Sequence, residues 1–354
     1  MSLEELDAQE LAEEQEVAPF KYSITSYGAD YPIDGLVKRI RDGSIYIPSF
    51  QRGFVWTLPQ ASRFIESLLL GLPVPGIFLS KDDATQKLLV IDGQQRLLTL
   101  SWFYEGVFHA TDRVFALQGV QERFDGATYQ NLTDEDRRRL DDSILHATVI
   151  KQEEPSEDES SVYYIFERLN TGGTPLRPQE IRTAIYHGPF NDLLRALNQR
   201  PTWRALYGPE DVRMRDRELI LRFLALFFRA DLYRRPLKAF LNAFMGENRY
   251  LRRYSTEQIT NAFGPTVDLI DEAIGVRAFR PRRTINAAVF DAVMVGLARR
   301  LAERSIENRP GVVAAYGALL ANEEFFSLTE SSTTGEESVQ RRLAMASQYF
   351  RDVD

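Results

Sequence analysis

The run Asp92-Gly93-Gln94-Gln95-Arg96 concentrates more chemistry than any other five residues of this chain. It follows Leu88-Leu89-Val90-Ile91 and precedes Leu97-Leu98-Thr99-Leu100. The first apolar run reads as a buried strand; the second, continuing through Trp102 and Phe103, reads as the opening of a helix. A strand-to-helix turn presents unpaired backbone N–H groups and the positive end of the helix dipole, and both favour an anion. Gly93 lets the backbone approach a ligand or adopt a positive φ. Gln94 and Gln95 place N–H groups in the first turn, and Arg96 offers a forked donor for phosphate oxygens. Asp92 can hold Mg²⁺, accept from a ribose hydroxyl or orient water. A plainer reading makes Asp92 a helix N-cap and Arg96 one half of a surface ion pair. The paired glutamines between apolar runs tilt the balance toward a ligand.

Two further loops carry polar groups in unusual company. In Phe50-Gln51-Arg52-Gly53-Phe54-Val55-Trp56, Gln51 can read a base edge, Arg52 a phosphate, and Trp56 can stack on a base. The plainer reading puts Phe50, Phe54 and Trp56 in the core and favours them there. In Phe166–Arg182, the sequence Asn170-Thr171-Gly172-Gly173 can wrap a ligand and donate backbone N–H groups. A helix C-cap explains Asn170 and one glycine, but not the second.

Charge is unevenly placed. The net is -8, which argues against a uniformly cationic nucleic-acid binder. Residues 1–19 contain acids at Glu4, Glu5, Asp7, Glu10, Glu13, Glu14 and Glu16 and no base. Residues 152–159 add Glu153, Glu154, Glu157, Asp158 and Glu159. Residues 195–253 instead hold fourteen Arg or Lys against six Asp or Glu. That excess makes Arg213, Arg215 and Arg217 candidates for a DNA-facing surface, with a solvated helix face as the plainer reading for each arginine.

The chain contains no cysteine, which excludes disulfides, thiolate zinc sites and cysteine nucleophiles. Its three histidines, His109, His146 and His187, show no metal-ligand spacing. There is no P-loop and no serine nucleophile elbow. No run of about 18 apolar residues appears, so no membrane span is expected. The N-terminus lacks the pattern of a secretory signal, and a cytoplasmic location is expected.

The elements that must position these residues form an α+β pattern. Residues 1–19 read as an acidic disordered arm. Helices are expected at 32–42, 58–70, from the Asp92 turn to near Gly106, and after the Thr133 cap. Strands are expected at 45–48, 76–81, 87–91, 113–117 and 143–151. The mixed α/β domain spans 20–152, and the acidic stretch 152–159 is the linker. Strand signals then nearly vanish over 160–354. Helices are expected at 161–170, from Pro178, and at about 189–198, 211–230, 236–246, 256–275, 285–305, 309–321 and 335–351.

The three motifs, in this order and spacing, resemble the GmrS half of GmrSD-type modification-dependent restriction enzymes. The same domain opens the SspE-like phage-defence proteins, and it looks like a member of the ParB/sulfiredoxin-like superfamily. The resemblance covers roughly residues 20–230. It implies a ParB-like α/β domain that binds and hydrolyses a nucleoside triphosphate (GTP, ATP or CTP) with Mg²⁺ and acts against foreign or modified DNA. Asp92, Gln95 and Arg96 would be catalytic, with Asp92 the metal ligand. Arg52, Gly93, Gln94, Asn170, Thr171, Gly172 and Gly173 would bind the nucleotide, and Gln51 and Trp56 the DNA. Many relatives carry a C-terminal His-Asn-His-type nuclease domain, yet no histidine follows His187. Cleavage is then expected from a separate nuclease subunit, and oligomerisation stays open. Two alternatives remain: a non-catalytic DNA-modification sensor or partner-binding module, and a ParB-like metal-dependent DNA nickase.

Overall fold

The computed structural model describes residues 23–47, 54–82, 85–154, 163–165, 167, 177–330 and 333–354. Two compact units result, one built on residues 23–154 and the other on 177–354.

The first unit opens with β1 (Ser23–Pro32) and α1 (Ile33–Arg41), followed by β2 (Ile45–Tyr46) and α2 (Leu58–Leu69). Next come β3 (Ile77–Lys81), β4 (Leu88–Asp92) and α3 (Gln94–Glu105). A short ribbon of β5 (Val107–Phe108) and β6 (Arg113–Val114), then α4 (Asp134–Asp142) and β7 (Ile144–Glu154), complete it. Five strands form one sheet in the order β1-β7-β3-β4-β2. β7 pairs antiparallel with β1 and parallel with β3; β4 pairs antiparallel with β3 and parallel with β2.

Local chemistry explains most of these elements. Leu88–Ile91 is buried throughout, as expected of an inner strand covered on both faces. Gln60 Oε1 accepts from the Thr57 N–H at 2.8 Å and closes the start of α2. Thr133 Oγ1 accepts from the Asp136 N–H at 3.1 Å, and Asp134, Glu135 and Asp136 complement the α4 dipole. Ile65, Leu69, Ile77, Leu79, Val90, Leu97, Leu100 and Phe103 lie in the core that joins the helices to the sheet.

The second unit contains α5 (Pro178–Ile185), α6 (Pro189–Asn198), α7 (Pro201–Tyr207), α8 (Arg215–Arg229) and α9 (Leu237–Asn248). It continues with α10 (Thr256–Ala273), α11 (Ala287–Glu303), α12 (Arg309–Ala321), α13 (Glu323–Glu330) and α14 (Glu336–Phe350). Proline opens α5, α6 and α7 at the first helical position, where its missing N–H costs nothing. Helix α11 is buried continuously from Ala287 to Ala298.

The architecture is the expected one, a mixed α/β unit followed by helices, with informative differences. The unit's edge strand β1 was not expected. The strand at 113–117 shortens to Arg113–Val114. The helix expected from residue 211 begins at Arg215, because Met214 sits at φ 60° and cannot continue a right-handed helix. Helices α7 and α13 were also not foreseen. Residues 152–154 extend β7 rather than the linker, and residues 155–162 lie outside the described residues. No described helix is long and apolar enough to cross a membrane.

Candidate functional site

Strand β4 delivers Asp92 to the C-terminal edge of the sheet, where Asp92 still pairs with Phe78 of β3. The chain then turns through Gly93, at φ 102°, directly into α3. The left-handed conformation favours glycine, and so does the space. A Cβ at this position would fall 2.3 Å from Ile77 Cγ2 and 2.9 Å from Ile77 Cβ. Glycine is therefore required by the close approach of the turn to β3. The N-cap is this glycine rather than Asp92, and a glycine has no side chain with which to cap the first turn of α3.

Arg96 folds back over the turn. Its Nη2 donates to Asp92 Oδ2 at 2.5 Å, and its Nε lies 3.5 Å from the position of a Gly93 Cβ. The side chain of Arg96 is 16 % exposed and that of Asp92 is 40 % exposed. The Arg96 Nε is buried without a hydrogen-bond acceptor among the described residues. Other arginines share such an unmatched nitrogen; that of Arg96 stands beside a helix start, where an anion is favoured. Arg96 thus forms the ion pair of the plainer reading, through Nη2 alone.

Gln95 takes a different part. Its Oε1 accepts from the Val55 N–H at 2.9 Å and from the Trp56 N–H at 3.3 Å. One side chain of the turn thereby fastens the end of the aromatic loop. Phe54 lies 4.3 Å from the Trp102 ring and edge-on to Phe108 at 5.5 Å. Trp56 rests edge-on against Phe64 at 5.7 Å. Phe54 and Trp56 are thus half-buried on the core, while Val55 between them is 61 % exposed. The turn and the aromatic loop, separate in sequence, meet along α3. This role of Gln95 was not foreseen; the only sequence signal was the alternation of aromatic and small residues before Thr57.

Replacing Gln95 by alanine is expected to cost about 1 kcal/mol, the usual value of a hydrogen bond whose backbone partners can find water. Amide exchange at Val55 and Trp56 should accelerate. Unchanged protection there would show that the clamp does not hold the loop.

Gln51 and Arg52, and Asn170, Thr171, Gly172 and Gly173, lie outside the described residues. Gln94 occupies the first position of α3. On metal chemistry, no group of three or more carboxylates or histidines gathers among the described residues. Mg²⁺ commonly needs only one or two carboxylates together with substrate phosphates, so a half-exposed Asp92 fits a metal carried in with a nucleotide.

The basic block has a distribution that the sequence conceals. Arg213 Nε contacts Glu180 Oε2 at 2.9 Å, and Arg217 Nη2 contacts Glu210 Oε1 at 2.7 Å. Arg215 opens α8. Arg222, in the same block, is buried against Asp291. Arg195, Arg200, Arg204 and Arg229 pair with Asp192, Asp268, Asp216 and Glu247. Several of these acids lie outside residues 195–253, so folding neutralises much of a charge excess counted along the chain.

Residues 33–187 match the family model described as the GmrSD restriction endonuclease, N-terminal domain. The match takes in the aromatic loop, the Asp92–Arg96 turn and the first helix of the second unit, and it supports a GmrSD-type restriction family. No curated protein matches the chain.

Proposed function

We propose that this chain is the nucleoside-triphosphate-binding and hydrolysing subunit of a DNA restriction or phage-defence system of the GmrSD type. The observation that carries the reading is Arg96: a largely buried guanidinium over a left-handed glycine, with an unmatched N–H beside a helix start. A triphosphate oxygen satisfies that donor and competes with Asp92 for the guanidinium. Asp92, released from Arg96, is then free to orient water or to ligate a cation. Mg²⁺, when bound with the nucleotide, would neutralise phosphate charge. Gln95 keeps the aromatic loop against the turn, so Arg52 enters the chain three residues before its anchored end. The ParB-like identity of the sheet unit, the use of GTP, ATP or CTP, and a separate nuclease subunit belong to the same reading. DNA is the target that a restriction-type domain supports.

The test is turnover of each of the four ribonucleoside triphosphates with Mg²⁺, with and without DNA. Wild type is expected to hydrolyse at least one, and Asp92→Ala to lose at least about tenfold of that rate, as befits removal of a group acting on the attacking water. Absence of turnover in the wild type under all these conditions would refute the proposal.

A further inference from the structure

The paired arginines of α8 leave open where the helical unit would touch DNA. Between α9 and α10 runs Arg249-Tyr250-Leu251-Arg252-Arg253-Tyr254, a segment of three cations and two rings. Tyr250 is 39 % exposed. The guanidinium of Arg249 lies 5.2 Å from its ring centroid and that of Arg252 lies 5.4 Å away. Arg252 is exposed, and no carboxylate pairs with it among the described residues. Arg253 shares Glu247 with Arg229, at 3.2 Å for its own contact.

This segment is built rather than loose. Arg249 Nε donates to the His187 carbonyl at 2.8 Å, and the Phe190 N–H donates back to the Arg249 carbonyl at 3.2 Å. Gly188 makes that approach feasible, since a Cβ there would fall 2.9 Å from the Arg249 oxygen. The Leu251 N–H donates to the Asn248 carbonyl at 2.7 Å, and Leu251 sits at φ 55°. A leucine in the left-handed region costs about 1–2 kcal/mol and persists only where its surroundings impose it. At the far end, Tyr254 stacks on Phe228 with centroids 4.2 Å apart. Both ends are pinned, and the fixed backbone presents Tyr250 and Arg252 outward.

We propose that Tyr250 and Arg252 form a contact for single-stranded DNA, resting on the reading that the protein acts on DNA. An exposed ring offers a flat π surface on which a base can stack, while the guanidinium beside it reaches a phosphate. Duplex DNA offers the phosphate but keeps its base faces stacked inside. The pair therefore selects a strand whose bases are accessible.

The test is fluorescence anisotropy of the full chain with a labelled single-stranded oligonucleotide, its duplex form and polyglutamate, without nucleotide. Wild type is expected to prefer the single strand. Tyr250→Ala should weaken binding at least about tenfold, in line with the loss of one stacking contact, whereas Tyr250→Phe should retain it. Arg252→Ala should weaken binding and lower the slope of log affinity against log salt by about 0.7. Circular dichroism checks that each variant is folded. Wild-type affinity in a folded Tyr250→Ala, Arg252→Ala double variant would overturn the proposal. So would a preference for the duplex, or for polyglutamate. Because no nucleotide is present, failure of triphosphate hydrolysis would refute the proposed function without touching this result.

Discussion

Asp291→Ala is expected to destabilise the helical unit by about 3–5 kcal/mol, the cost of leaving buried charges uncompensated. Asp291 lies in the second turn of α11 and is fully buried. Its Oδ2 receives Arg222 Nη2 at 2.7 Å and Arg342 Nη2 at 3.2 Å, and its Oδ1 receives Arg222 Nε at 3.2 Å. Arg222 and Arg342 are each 1 % exposed, so one carboxylate tethers two guanidinium groups in the core. Burial, with the Arg222 charge beside it, lowers the pKa of Arg342, and Asp291 acts in the opposite sense. Alanine removes the shared anion and leaves both cations facing each other's helices, α8 and α14. Urea denaturation followed by circular dichroism measures the loss. A shift below about 1 kcal/mol would mean that water or another acceptor reaches the arginines. The arrangement also bears on specificity, because a charge triad closes only in one register of α8, α11 and α14.

The second large effect belongs to Gly93→Ala. The left-handed backbone costs an alanine about 1–2 kcal/mol, and overpacking against Ile77 adds about 1–3 kcal/mol. The two arise at the same atom and press in the same direction, since the new methyl points at Ile77 of β3. Roughly 2–5 kcal/mol of stability should disappear, and the turn should be displaced from β3. A companion Ile77→Ala substitution should recover part of the loss by opening the space, without relieving the backbone strain. Denaturation of the single and double variants decides the matter. A Gly93→Ala protein as stable as wild type would show that the turn relaxes freely away from Ile77.

Some of this molecule is written plainly in its sequence. Leu88–Ile91 followed by Gly93 and a helix-forming run marks strand, turn and helix, because an inner strand is uniformly apolar and a glycine breaks it. Thr133 before Asp134-Glu135-Asp136 marks a helix start by its own chemistry. β1 is different. Its residues mix serine, glycine, alanine and aspartate, and Thr25–Pro32 lie largely exposed. Its strand character comes from backbone pairing along β7, which no side-chain pattern reports. The same limit applies to charge. Arg213 and Arg222 look alike in sequence, yet Glu180 and Asp291 engage them from 33 and 69 residues away. At the site, the sequence offers Arg96 both as a candidate phosphate donor and as half of an ion pair, and Asp92, one helical turn away, completes the pair. It does not show that Gln95 spends its carbonyl on Val55 and Trp56, since that contact spans 40 residues. Interactions confined to one turn of chain are legible; those made by tertiary approach are not.

In the proposed function, the Asp92–Arg96 turn binds a triphosphate. Equilibrium binding of nucleoside triphosphates with Mg²⁺ to wild type and to folded Arg96→Ala tests it most directly. Wild type should bind, and Arg96→Ala should bind at least about tenfold more weakly, the loss expected for a hydrogen bond to a charged group. Equal affinity in the two proteins, or no binding by wild type, would contradict it.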